Sequence, residues 1–126
     1  MKANELMIGD WYAFRGHPYQ CTASDIASIA ECEEKGAPTD ISEIPLTPEI
    51  LEKNGFKKCD GNEWSFYKKG EGERGLYNIL WSADELYLEI ASYTPLIGEF
   101  NRMGVKYIHE LQHALRLCRI DKEITI

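Results

Sequence analysis

Five consecutive residues near the C-terminal end have the types and spacing of a zinc-peptidase active site. His109, Glu110 and His113 spell the pattern H-E-x-x-H. On a helix, residues four apart lie one above the other, so both imidazoles can reach one Zn²⁺ while the glutamate activates a bound water. The motif therefore indicates one specific function, a zinc-dependent hydrolase in which His109 and His113 are the metal ligands and Glu110 is the general base.

The sequence around the motif lacks the third protein ligand that a catalytic zinc requires. The metzincin continuation would place Gly at position 116 and His at position 119, where the chain has Arg116 and Arg119. The upstream histidine, His17, precedes Pro18 in a predicted turn, where a surface position is expected. We therefore interpret the motif as coincidental and predict no catalytic, metal-binding or cofactor-binding residue, with the zinc hydrolase as the alternative.

A helical wheel separates the two histidines from the apolar side of the same helix. At 100° per residue, one apolar stripe contains Tyr107, Ile108, Leu111, Ala114, Leu115 and Cys118. His109 and His113 lie nearly opposite, with Lys106 on their side, and a cation there opposes a divalent metal. A helix packed through a single stripe exposes its other side. We expect both histidines to face solvent.

The composition is that of a globular domain rather than a disordered chain. Of the 126 residues, 44% are hydrophobic and 28% are charged, which predicts one compact domain over residues 1–126, with sub-lobes at 1–46 and 47–126. The formal net charge of -7 argues against general nucleic-acid binding. Two basic pairs, Lys57–Lys58 and Lys68–Lys69, are interpreted as solvated strand ends.

The N-terminus and the cysteines predict a cytoplasmic protein with free thiols. The opening Met-Lys-Ala-Asn-Glu lacks the apolar region of a secretory signal, and no apolar run reaches membrane-spanning length. We therefore expect no membrane association. The four cysteines, of which Cys118 is expected to lie in the core, form no C-x-x-C pair.

The N-terminal third of the sequence predicts a β-rich lobe. Residues 6–24 have the aromatic content of two strands around a turn at 15–18. Residues 25–32 are ambiguous between helix and strand. Residues 41–46 are expected to be short and extended, because Pro45 disfavours helix in the residue before it.

The centre of the sequence predicts a short helix followed by a hairpin. Thr47 is a good N-cap, Pro48 suits the first helical position, and Gly55 can adopt the left-handed conformation that ends a helix. Residues 56–59 and 63–68 flank a tight-turn sequence and predict two paired strands.

The C-terminal half completes the predicted α+β fold. Residues 76–81 and 86–91 are expected to be strands, residues 70–75 a flexible turn, and residues 105–118 a helix. The predicted architecture is a β-rich lobe followed by a helix, a four-stranded antiparallel sheet and a C-terminal helix. Five aromatic residues could line a ligand groove, but core packing is the favoured interpretation. They are Trp11, Trp64, Trp81, Tyr77 and Tyr87.

Three segments resemble a family of small uncharacterised proteins of gut anaerobic bacteria, often found in mobile-element or phage-like gene neighbourhoods. The segments are L-M-I-G-D-W at 6–11, I-P-L-T-P-E-I-L-E-K-N-G-F at 44–56 and V-K-Y-I-H-E-L-Q-H at 105–113. In members of that family the closing helix can carry Gln at the position of Glu110 and Asn at that of His113. The resemblance implies a structural role for this helix, and since no activity is known for the family, none carries over to this sequence.

Taken together, the sequence predicts a cytoplasmic, non-enzymatic α+β module that binds a protein partner and uses no cofactor. An accessory role in a mobile element, through protein contact rather than direct DNA binding, is a further interpretation. The alternative function remains the zinc-dependent hydrolase of His109, Glu110 and His113.

Overall fold

The chain has the predicted α+β fold, and its described residues form three α-helices and two antiparallel sheets. The computed structural model describes residues 1–68, 76–93 and 98–126. The chain divides into two compact units. Unit 1 comprises Met1–Pro45 and Tyr107–His109, and unit 2 comprises Leu46–Lys106 and Glu110–Ile126. The predicted single domain with sub-lobes at 1–46 and 47–126 stays a prediction.

Unit 1 consists of a small sheet and one helix. Its elements are a 3₁₀ turn at Ala3–Glu5, strands β1 (Trp11–Phe14) and β2 (His17–Gln20), helix α1 (Ala23–Glu34) and strand β3 (Ile41–Ser42). The sheet has the order β2-β1-β3, and both strand pairs are antiparallel.

The β1–β2 hairpin confirms the two strands predicted at 6–24. Its turn consists of Arg15 and Gly16, whose φ angles of 50° and 80° are both left-handed. Two such residues form the tight turn that matches the twist of paired strands. His17 is therefore the first residue of β2 and not part of the turn, contrary to the prediction.

Residues 25–32, which were ambiguous, belong to α1. Thr22 is the N-cap: its hydroxyl accepts from the Asp25 N–H at 3.2 Å, and the Asp25 carboxylate accepts from the Thr22 N–H at 3.0 Å. This reciprocal pair satisfies two amide donors at the helix start. The N-terminal lobe is therefore mixed rather than β-rich, and its core residues are Ala3, Leu6, Tyr12, Cys21 and Ile29.

Unit 2 contains a five-stranded sheet rather than the predicted four strands. Its elements are α2 (Pro48–Lys53), β4 (Lys57–Cys59), β5 (Glu63–Lys68), β6 (Leu76–Ser82), β7 (Tyr87–Tyr93) and β8 (Gly98–Gly104). The strand order follows the sequence from β4 to β8. Strand β8 was not predicted, and the turn predicted at 70–75 lies outside the described residues. The last helix, α3 (Ile108–Leu117), starts three residues later than predicted.

Helix α2 begins and ends as its local sequence predicts. The Thr47 hydroxyl accepts from the Ile50 N–H at 3.3 Å. Gly55 has φ +89°, and the Phe56 N–H donates to the Leu51 carbonyl at 3.0 Å. This bond, made two residues beyond the helix cap, is the hallmark of a Schellman motif, which satisfies the last helical carbonyls.

The core of unit 2 lies on one face of the sheet. Trp81 pairs with Trp64 on β5 and with Leu88 on β7, so these side chains share a face, and each is at most 4% exposed. The other buried apolar residues come from the sheet, the helices and the segments beside them: Leu46, Leu51, Phe56, Tyr77, Ile79, Ile90, Val105, Leu111, Ala114, Leu115, Ile120 and Ile124.

Candidate functional site

The H-E-x-x-H motif occupies the first two turns of α3. The Ile108 N–H donates to the Ile44 carbonyl at 2.9 Å, and Pro45 forms a β-bridge with Tyr107. The Tyr107 ring stacks on the His109 imidazole, with centroids 5.9 Å apart and an interplanar angle of 11°. His109 is only 6% exposed. The prediction that it faces solvent is wrong, because the chain before the helix packs around the helix start.

The apolar stripe of α3 is confirmed, but the opposite side of the helix is also covered. Leu111 and Leu115 are buried, as predicted. Gln112 is buried as well, and His113 is half-buried rather than exposed. A helical wheel assumes one packing face, and α3 has more than one.

Glu110 acts at the start of the helix. Its carboxylate accepts from the Lys106 backbone N–H at 2.9 Å. Lys106 precedes the first helical residue by two positions, and a negative charge near a helix start is favoured by the helix dipole. A general base in a zinc hydrolase must instead bind the metal-activated water. The observed bond gives Glu110 a structural role.

The described side chains do not fit a zinc site. In residues 1–68, 76–93 and 98–126, no three or more His, Cys, Asp or Glu side chains are grouped to hold a metal ion. The four cysteines are free thiols, of which Cys21 is buried. Cys118 is half-buried, in contrast to its predicted core position, and its sulfur accepts from the Asn101 side-chain amide at 3.7 Å.

The tryptophans of the sheet belong to the core, as favoured from the sequence, rather than to a ligand groove. The Trp81 indole N–H donates to the Val105 carbonyl at 2.9 Å, and the Trp64 indole donates to the Glu52 carboxylate at 3.3 Å. Tyr77 is also buried, whereas Trp11 and Tyr87 are half-buried.

The basic pair on β4 is exposed, as predicted. Lys57 and Lys58 both reach solvent, and the Lys58 ammonium lies 5.8 Å from the centroid of the Trp64 ring. The prediction for Lys68 and Lys69 lies outside the described side chains.

A second candidate site, which sequence reasoning missed, is an exposed apolar area of unit 1. Among the described residues, six large hydrophobic side chains are exposed, and four belong to this unit. We call these four residues the hairpin surface: Met7, Ile8, Phe14 and Tyr19. Ile8 is 65% exposed and Tyr19 is 48% exposed. The aromatic residues at 12, 14 and 19 were visible in the sequence as strand formers, but their exposure depends on what covers the sheet.

The aromatic half of the hairpin surface lies on one face of the β1–β2 pair. Tyr19 pairs directly with Tyr12, with ring centroids 6.2 Å apart. Phe14, two residues along from Tyr12 and on the same face, meets the Tyr19 ring edge-on at 6.4 Å. Tyr12, on the same face, is buried in the core. The exposed rings are therefore supported by a packed one.

The aliphatic half of the hairpin surface is a turn at residues 7–10. The Gly9 N–H donates to the Cys21 carbonyl at 2.7 Å, and the Gln20 side-chain amide donates to the Gly9 carbonyl at 3.4 Å. These bonds hold the turn, and with it Met7 and Ile8, beside the end of β2.

The charged groups nearest the aromatic rings are partly compensated. The Arg15 guanidinium lies 5.0 Å from the Phe14 ring centroid, and its Nε is 3.5 Å from the Asp40 carboxylate. Burial, followed by the charge of Asp25, raises the pKa of Tyr12.

Within the described residues, no helix has the length and apolarity to cross a membrane. Comparison of the chain with protein-family models, with curated proteins and with solved structures found no match.

Proposed function

We propose that the protein is a non-enzymatic interaction module that binds another protein through the hairpin surface. The observation that carries the proposal is the clustering of exposed apolar side chains in one small unit. Exposed apolar residues scattered singly over a surface need no explanation. Here the aromatic pair, Phe14 and Tyr19, lies in contact on one strand pair, with Ile8 on the turn beside the same strand.

The chemistry of the hairpin surface suits protein recognition. Aromatic side chains bring a large contact area with few rotatable bonds, and they are enriched at interface centres. Tyr19 also retains a hydroxyl that can bond to a partner. Tyr19 already packs against the buried Tyr12, which limits the conformational entropy that this ring loses when a partner binds.

The compartment and the biological setting form part of the same proposal. Four thiols without a disulfide suit a reducing cytoplasm. The resemblance to a family found near mobile elements supports an accessory role exerted through protein contact.

The experiment first isolates a protein that stays bound to the wild-type chain during purification. This partner is identified and purified, and its affinity for each variant is measured by calorimetric titration. The double variant Phe14→Ser/Tyr19→Ser should weaken its affinity by about tenfold or more, since buried aromatic anchors carry most interface energy. Tyr67→Ser is the matched control, because Tyr67 is 61% exposed and lies in unit 2. Circular dichroism establishes that each variant is folded. Equal weakening by the control, or none by the double variant, would refute the proposal.

A further inference from the structure

We infer that the partner segment is positively charged, carrying Lys or Arg beside an apolar side chain, and that it docks on the hairpin surface through side chains rather than as an added strand. This inference rests on the proposed function and specifies the chemistry of the partner.

The first support is the uneven distribution of charge. Unit 1 contains three Lys or Arg and eight Asp or Glu, a formal net charge of -5, whereas unit 2 accounts for the remaining -2 of the total of -7. Such a potential repels nucleic-acid phosphates and anionic lipid headgroups, and it accelerates encounter with a cationic protein.

The second support is the arrangement of charge around the exposed rings. Asp25, at the N-terminal turn of α1, lies close enough to Tyr12 for its charge to raise the pKa of that tyrosine, and the Tyr12 ring contacts Tyr19. Asp40 lies on the Phe14 side, where it pairs with Arg15 at 3.5 Å. The Asp40 carboxylate offsets the charge of Arg15. An incoming Lys or Arg can therefore stack on the exposed Tyr19 ring, with Asp25 near Tyr12 and Asp40 on the Phe14 side supplying negative charge to this surface.

The third support concerns the outer edge of the sheet, where β2 lies. In a hairpin with a two-residue turn, Phe14 and His17 form a hydrogen-bonded pair. The next pair, Ala13 and Pro18, is then of the non-bonded type, so the Pro18 nitrogen faces outward. Proline has no N–H to offer an additional strand, which protects such an edge against strand pairing. At the β2 edge, this favours docking of a partner on the side-chain face of the hairpin.

The test is an NMR titration of the ¹⁵N-labelled full chain with three short synthetic peptides. The first alternates Lys or Arg with Leu or Phe, the second replaces each basic residue by Glu, and the third replaces each apolar residue by Ser. The first should shift the amides of Ile8, Phe14 and Tyr19, and the second should not bind. The third should bind more weakly than the first. Raising the salt from about 0.05 M to about 0.5 M should weaken binding of the first several-fold.

Two charge variants sharpen the test. Asp40→Asn keeps a side chain that tolerates the left-handed backbone at φ +56° and removes one negative charge beside the rings. It should weaken the basic peptide about twofold to fivefold, as expected for one exposed charge. Glu85→Gln removes the same charge from unit 2, where Glu85 lies 3.7 Å from Arg102, and should have little effect.

The outcomes separate this inference from the proposed function. If the acidic peptide binds as well as the basic one, or if the two charge variants behave alike, the inference is wrong while the hairpin surface can still be the binding site. If the basic peptide shifts amides of unit 2 instead, or binds the Phe14→Ser/Tyr19→Ser variant unchanged, the hairpin surface itself is not the site.

Discussion

The side-chain amide of Asn54 binds the backbone of Thr125 through both its nitrogen and its oxygen. The Asn54 Nδ2 donates to the Thr125 carbonyl at 2.7 Å, and the Thr125 N–H donates to the Asn54 Oδ1 at 2.9 Å. The same Nδ2 also donates to the Ile50 carbonyl at 2.7 Å. One buried amide thus joins the end of α2 to the C-terminal segment, whose Ile124 is buried in the core of unit 2.

Replacing this amide should destabilise unit 2 strongly. Asn54→Ala removes three short hydrogen bonds and leaves their backbone partners poorly satisfied, so we expect a loss of about 3 kcal/mol in the free energy of unfolding. Urea denaturation measures it. Asn78→Ala, at an exposed position, is the control and should change stability by less than about 0.5 kcal/mol. Similar values for both variants would mean that the C-terminal segment is held by its apolar residues alone.

Substitutions at two glycines distinguish the stability cost of backbone strain from that of steric contact. Gly55 and Gly61 both have left-handed φ angles, +89° and +76°. A Cβ at Gly55 would lie 3.3 Å from the Phe66 ring, whereas one at Gly61 would meet nothing within 4 Å. Gly61→Ala should cost about 1 kcal/mol, from strain alone. Gly55→Ala should cost more, and Gly55→Val more still, in equilibrium unfolding. A larger loss at Gly61 would contradict this account of the end of α2.

Replacing side chains of helix α3 by alanine should reduce stability more where the side chain is more deeply buried. Leu111→Ala and Leu115→Ala should each cost about 2–5 kcal/mol, whereas Leu117→Ala, at a position 77% exposed, should cost less than about 0.5 kcal/mol. Because His109 is buried against Tyr107, His109→Ala should cost more than His113→Ala. Thermal unfolding ranks the five variants. Equally small losses at the two histidines would instead support the solvent-facing arrangement predicted from the sequence.

The sequence predicts the elements whose signals lie within a few residues of the chain, and it misses those that depend on distant pairing. Helix α2 was predicted because its N-cap and its terminal glycine act within a few residues of the chain. Strand β8 was missed because its sequence, G-E-F-N-R-M-G, has little strand propensity, and its structure comes from pairing with β7.

The candidate sites were predicted less well than the fold, for a related reason. The H-E-x-x-H motif is local in sequence, but His109 is buried, with the Tyr107 ring stacked on its imidazole. The hairpin surface is defined by the parts of the β1–β2 face that other elements leave exposed. Neither property can be read from spacing along the chain.

Stability should fall at alkaline pH because two tyrosines are protected from ionisation in the folded state. Burial and the charge of Asp25 raise the pKa of Tyr12, and burial with the charge of Asp121 raises the pKa of Tyr77, above the ordinary value of 10.0. Above about pH 10 the unfolded chain therefore releases protons that the folded chain retains, so unfolding becomes more favourable as pH rises. Stability contributed by these groups is fully present below that pH.

Unfolding free energies measured from neutral pH to above pH 10 check this prediction. Tyr77→Phe should lessen the alkaline fall, and Tyr67→Phe, at an exposed position, should leave it unchanged. An unaltered fall in Tyr77→Phe would assign the effect to other groups, such as the Cys21 thiol, whose pKa is also raised by burial.

Substitutions of Glu110 distinguish a structural role of this residue from a catalytic one. If the carboxylate serves only the helix start, Glu110→Gln keeps an oxygen that accepts from the Lys106 N–H and should change stability by no more than about 0.5 kcal/mol. Glu110→Ala removes that acceptor and should cost about 1 kcal/mol.

Neither added Zn²⁺ nor a chelator should shift the melting temperature of the tag-free protein. A zinc hydrolase would behave differently: Zn²⁺ would raise the melting temperature by mass action, and His113→Ala would abolish that rise. Glu110→Gln would then keep the metal and lose hydrolysis, since only the base is changed.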